Sequence, residues 1–203
     1  MNKIIYIFIN GILTFPGDAA NWTGRAVTWV QTRSPHKAEK VEYYAGPLDR
    51  VFGQAERAQK LSRTLEFYSG WDIVLVGHSN GCDVILDALR ARELPDLAEL
   101  HLISGACEAD FDINGLNDAL LERDIDSVRV YVAGRDKWLR LASTWTGKLF
   151  GYGTLGLHGA LDVAATVAQN VTETLRPNYG HSDWFAPEHF GETMRGICPE
   201  ATV

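Results

Sequence analysis

Residues 4–9 are apolar at every position, and each is β-branched or aromatic. A strand with one wet face alternates apolar and polar side chains. An unbroken run is therefore predicted to be covered on both faces, as the strands of a parallel sheet are. The run stops at Asn10-Gly11, a turn. Residues 73–76, 100–103 and 128–132 are predicted to be strands as well, and 39–44 reads as a more alternating strand before Gly46-Pro47.

Between these runs the period changes. Over residues 48–69, Val51, Ala55, Ala58, Leu61, Leu65 and Tyr68 recur at helical spacing and define one face, with Gly70 placed to close the helix. Residues 80–91 repeat the pattern through Val84, Ile85, Ala88 and Leu89, and 113–121 is predicted helical. Residues 163–175 are predicted to begin as a helix through Ala164, Ala165 and Ala168 and to end in a short last strand at Val171, Thr172 and Thr174. Strand and helix alternate, so the expected fold class is α/β: a mainly parallel sheet of about six strands flanked by helices, with right-handed crossovers. No repeat or low-complexity linker divides the 203 residues, and a single domain over 1–203 is expected.

Composition narrows the function classes. Lys and Arg number 19 against 26 Asp and Glu, a net charge of −7 with no compensating basic cluster. Nucleic acid is thus a poor partner, since that affinity comes mostly from a positive surface. Cys82, Cys107 and Cys198 have neither the number nor the spacing of a disulfide framework or a zinc site, so no metal or other cofactor is expected. The apolar run at 4–9 is too short for a secretory signal, and no stretch approaches the roughly 20 apolar residues of a membrane span. A cytoplasmic protein is the expectation.

Gly77-His78-Ser79-Asn80-Gly81 matches G-x-S-x-G. It follows the apolar run 73–76 without a gap and opens a helical pattern. That strand, sharp turn and helix would hold a serine hydroxyl out on a strained backbone, with glycines relieving the crowding beside it. An incidental glycine-rich turn capped by a serine is the alternative.

On this motif and the order of its elements, the chain resembles the α/β-hydrolase superfamily, and within it the small serine esterases and lipases with little inserted cap. The resemblance implies a minimal α/β-hydrolase fold and a triad in the order serine, acid, histidine. Ser79 would be the nucleophile. Asp136, in Ala133-Gly134-Arg135-Asp136 directly after a strand, fits the acid, and Glu108, Asp110 and Asp112 after the preceding strand are the reserves. His181, in the polar loop Asn178-Tyr179-Gly180-His181 after the last strand, fits the base, with His158 and His189 as rivals. His78 is expected to face away from the site. The backbone N–H of Asn80 and, from Asn10-Gly11-Ile12, that of Ile12 would form the oxyanion hole. Asn10 departs from the histidine commoner before that glycine and could instead anchor the loop. Cys82 is read as a packing residue.

Large apolar residues outside the strands could shape a substrate site: Phe15, Trp22 and Trp29 in 13–30, and Trp138, Leu141, Trp145, Leu149 and Phe150 in 137–152. Trp138 and Trp145 would share a helical face that either walls the substrate or packs on the sheet. Gly147, Gly151, Gly153, Gly156 and Gly159 would let 137–160 move as a small lid. The implied activity is cleavage of a small-molecule acyl ester or thioester through an acyl-enzyme, with amides also possible. A non-catalytic module using the same cleft is the competing reading.

Overall fold

The computed structural model describes residues 3–12, 21–43, 53–91, 95–122, 124–142, 144 and 153–199. Phe15, Trp145, Leu149 and Phe150 lie outside them. Six strands, β1 (Ile4–Ile9), β2 (Lys37–Val41), β3 (Asp72–His78), β4 (Leu97–Ile103), β5 (Val128–Ala133) and β6 (Val171–Arg176), form one all-parallel sheet in the order β2-β1-β3-β4-β5-β6. Among the described residues the helices are α1 (Trp22–Arg33), α2 (Gln54–Phe67), α3 (Asn80–Ala91), α4 (Leu116–Leu121), α5 (Lys137–Ala142), α6 (Leu155–His158) and α7 (Pro187–Ile197).

The apolar runs have the two covered faces that their composition requires. Ile5, Ile7 and Ile9 of β1 and Ile73 and Leu75 of β3 enter one core with Leu61 and Leu65 of α2 and Ile85 of α3. Tyr6, Phe8, Val74 and Val76, on the alternate positions, enter a second core with Ala26 and Val30 of α1 and Met194 and Ile197 of α7. Each face carries half of every strand, as the period of two dictates. β2 occupies residues 37–41 rather than 39–44.

The predicted helix at 163–170 is replaced by a turn and a short 3-10 segment, Ala168–Asn170. Alanine favours helix, but here a side chain takes the backbone: the Asn117 oxygen accepts from the Ala164 N–H at 3.0 Å and its amide donates to the Asp162 carbonyl at 2.9 Å. Among the described residues no helix is long and apolar enough to cross a membrane.

The strand order sets the site. The chain starts mid-sheet at β1, moves outward to β2, then crosses to the other side of β1 and continues through β3 to β6. Winding reverses between β1 and β3, which opens a crevice at their carboxyl ends. Ile9 pairs with Gly77, His78 with Ile103 and Ala133 with Arg176, so the turns after β1, β3, β5 and β6 all emerge at that edge.

Candidate active site

Ser79 follows β3 directly and has φ +54°, a left-handed conformation that costs an L-residue roughly 1–2 kcal/mol. The surrounding backbone fixes it. Its N–H donates to the Ile103 carbonyl at 3.0 Å, and its carbonyl accepts from Cys82 at 3.1 Å and Ala106 at 3.2 Å. Crowding explains the motif's glycines. A Cβ on Gly77 would lie 2.6 Å from the Ile85 side chain, and one on Gly81 would lie 2.6 Å from the Asn10 oxygen and 2.7 Å from the Ile9 oxygen. On Gly11 it would lie 2.9 Å from the Ser79 Cβ, so the turn carrying Ile12 rests against the serine. Asn80, the first residue of α3, is fully buried.

Asp136 and His181 meet, although 45 residues separate them. The His181 Nδ1–H donates to Asp136 Oδ2 at 2.6 Å. The other carboxylate oxygen accepts from the Leu139 N–H at 2.9 Å in the first turn of α5, and Asp136 is completely buried. With the Nδ1 proton committed, a neutral His181 keeps its lone pair on Nε2. The two loops are laced together below the pair: Gly134 N–H donates to Arg176 O at 3.0 Å and Arg135 N–H to Tyr179 O at 2.9 Å. A Cβ on Gly134 would come within 2.7 Å of the Pro177 oxygen.

His78 does not face away from the site. Its Nε2–H donates to the His181 carbonyl at 3.0 Å, and the two rings lie 4.9 Å apart, so the residue before Ser79 holds the loop that carries His181. Burial, reinforced by repulsion from His181, pushes the His78 pKa down to about 3. His78 therefore supplies an N–H and no charge beside an imidazole that must become cationic in any proton transfer. Phe185 packs edge-on against the His78 ring at 5.1 Å and stacks on Trp22 at 4.1 Å. The loop is pinned further on by the Trp184 indole N–H, which donates to Ser104 Oγ at 3.1 Å, and by Asp183, whose Oδ2 accepts from Gly180 N–H at 2.7 Å. Trp184 and Phe185, three and four residues after His181, carry the aromatic area that packs this loop in place.

The other acids serve local turns. Asp110 Oδ1 accepts from the Asp112 and Ile113 N–H groups at 2.8 and 3.1 Å, Glu108 caps the Ala109 N–H at 2.9 Å, and Asp112 is exposed. His158 is exposed at the end of α6, and His189 stacks on Tyr179 at 4.4 Å. Cys82 is buried beneath the elbow.

α5 begins immediately after Asp136. It turns Leu139 inward and leaves Trp138 69% and Leu141 63% exposed, so these two do not pack on the sheet. Trp22 is buried against Phe8, His78 and Phe185. Residues 153–161 lie along the loop after β4, with Gly153, Leu155, Gly156 and Leu161 donating to Ala106, Cys107, Gly105 and Ala109. Added Cβ atoms on Gly153 and Gly156 would fall 2.0 and 2.3 Å from that backbone. At both positions the two backbones approach so closely that only glycine fits.

No family model matches the sequence, and no curated protein is significantly similar to it. Solved structures are similar to it in fold. A protein described as a hydrolase from Agrobacterium vitis has a TM-score of 0.59 at 15% identity, over 98% of this chain and 88% of that one. A protein described as a hydrolase of the α/β superfamily from Xanthomonas campestris has a TM-score of 0.55 at 18% identity, over 95% of each chain. An uncharacterized protein from Bacillus cereus has a TM-score of 0.56 at 13% identity, and this chain spans 98% of itself but only 61% of that protein. With six parallel strands in one sheet, helices on both faces and a strained serine at the end of β3, the chain has the α/β-hydrolase fold.

Proposed function

We propose that the protein is a serine hydrolase that cleaves an acyl ester or thioester through an acyl-enzyme, with Ser79, His181 and Asp136 as its triad. The observation that carries this reading is the His181 Nδ1–Asp136 Oδ2 bond at 2.6 Å, on a loop tied by its own main chain to the residue preceding a serine with φ +54°.

A serine hydroxyl is too weakly acidic to attack a carbonyl unaided at neutral pH. As Ser79 Oγ bonds to the acyl carbon, its proton passes to His181 Nε2, and Asp136 stabilises the imidazolium. The carbonyl electron pair moves onto oxygen, where the N–H groups of Asn80 and Ile12 receive it; one such donor is typically worth on the order of 10² to 10³ in turnover. Collapse breaks the bond to the leaving oxygen or sulfur, which takes the proton from His181. Water then repeats the sequence on the acyl-serine, giving the carboxylic acid and free Ser79. The exposed Trp138 and Leu141, one helical turn beyond Asp136, offer an apolar surface for an acyl group.

A fluorophosphonate probe with intact-mass detection tests this. Native protein should gain one adduct, and Ser79→Ala, folded to the same thermal midpoint, should gain none. Folded wild-type protein that resists labelling would instead indicate a binding module. Para-nitrophenyl esters and acyl-thioesters of graded length then define the substrate.

A further inference from the structure

Tyr43, just past the end of β2, belongs to neither the triad nor the turns around it, yet its hydroxyl lies where two of those turns meet. It is buried, with the Arg57 guanidinium 5.4 Å over its ring. The hydroxyl donates to the backbone carbonyl of Asn10, 33 residues earlier in the chain. Burial raises the Tyr43 pKa, so the group stays a protonated donor throughout the working range of any hydrolase.

Asn10 and Asn80 are the residues that begin the two arms assigned above to the oxyanion. The Asn10 carbonyl shares a rigid peptide plane with the Gly11 N–H. Once that plane is fixed, only the two dihedrals of Gly11 remain to aim the Ile12 N–H. Glycine alone leaves those dihedrals loose, while its contact with Ser79 leaves little room for error. The same carbonyl abuts the first turn of α3 at Gly81. A buried hydroxyl bonded to the Asn10 carbonyl thus holds a flexible turn against the helix start.

Resting on the hydrolase reading, we propose that Tyr43 is a positioning residue for the oxyanion hole: its hydroxyl holds the Asn10 carbonyl against the start of α3 and so keeps the Ile12 N–H at the separation from the Asn80 N–H that a tetrahedral intermediate needs. It touches no reacting atom.

Tyr43→Phe removes the clamp and keeps the ring. The expected result is a 10- to 100-fold fall in kcat with KM within about two-fold, and an equal loss of affinity for an alkyl boronic acid, which forms the tetrahedral adduct on Ser79. The assays are run well below each variant's thermal midpoint, so a merely structural role would leave boronate affinity unchanged. Unchanged boronate affinity in Tyr43→Phe overturns the inference while wild-type labelling at Ser79 leaves the hydrolase reading standing. Absence of that labelling in wild type removes both.

Discussion

The serine turn and the histidine loop reach the same sheet edge by different physics. Around Ser79 the backbone is held by crowding: Gly77, Gly81 and Gly11 each stand where an added carbon would meet atoms that cannot move far. Around His181 side chains hold the chain instead. His78, Asp183 and Trp184 each supply a specific hydrogen bond, and Trp22 and Phe185 supply the packing. One region is fixed by steric contact and the other by side-chain hydrogen bonds and ring packing. Damage to the first should therefore break the fold, and damage to the second should misplace a functional group in a fold that survives.

The contrast is sharpest at Gly81. Gly81→Ala forces a methyl against two backbone oxygens and should lower unfolding free energy by about 3 kcal/mol in urea titration, with activity lost in step. If Gly81→Ala keeps wild-type stability, the turn is not held by crowding.

His78→Ala probes the other region. It removes the bond to the His181 carbonyl and should lower turnover of a para-nitrophenyl ester about 10- to 100-fold in protein that remains folded at assay temperature. The same variant carries a pH signature. Because the folded-state pKa of His78 is about 3, below its ordinary value of 6.5, the unfolded chain binds this proton first on acidification. Its stabilising contribution is complete above pH 6.5 and declines as the pH falls toward 3, by up to about 1.4 kcal/mol per pH unit. Urea titrations of wild type should show that slope over and above the slope of His78→Ala; parallel curves would mean that His78 is charged in the folded state.

The smallest expected effect concerns the stored strain. Ser79→Gly should be about 1 kcal/mol more stable than Ser79→Ala, since glycine accepts φ +54° without a Cβ clash. Equal stabilities would mean that the turn relaxes when the serine is lost.

The same division governs what the sequence discloses. G-x-S-x-G is legible because its glycines answer to a crowding that any strand-to-helix turn of this kind creates. Asp136 and His181 could be placed because each follows a strand end. The role of His78 was not legible, since its partner lies 103 residues away and exists only after β6 returns the chain to the sheet edge. Tyr43 is similar, as nothing in a run that merely ends β2 reveals that its hydroxyl reaches Asn10. The alanines at 164–168 suggested a helix because propensity is local, whereas the Asn117 side chain that redirects this backbone arrives from another element. The close packing of Gly153 and Gly156 is likewise not legible in sequence, where a glycine that permits motion and one that permits close approach look alike.

The most direct measurement is a crystal structure of the protein after reaction with a para-nitrophenyl alkylphosphonate. The expected result is phosphorus bonded to Ser79 Oγ, its phosphoryl oxygen within hydrogen-bond distance of the Asn80 and Ile12 N–H groups, and His181 Nε2 facing the reaction centre with Nδ1 still on Asp136. An unmodified Ser79, or an adduct whose phosphoryl oxygen points to solvent while His181 turns away, would contradict the assembly of this site.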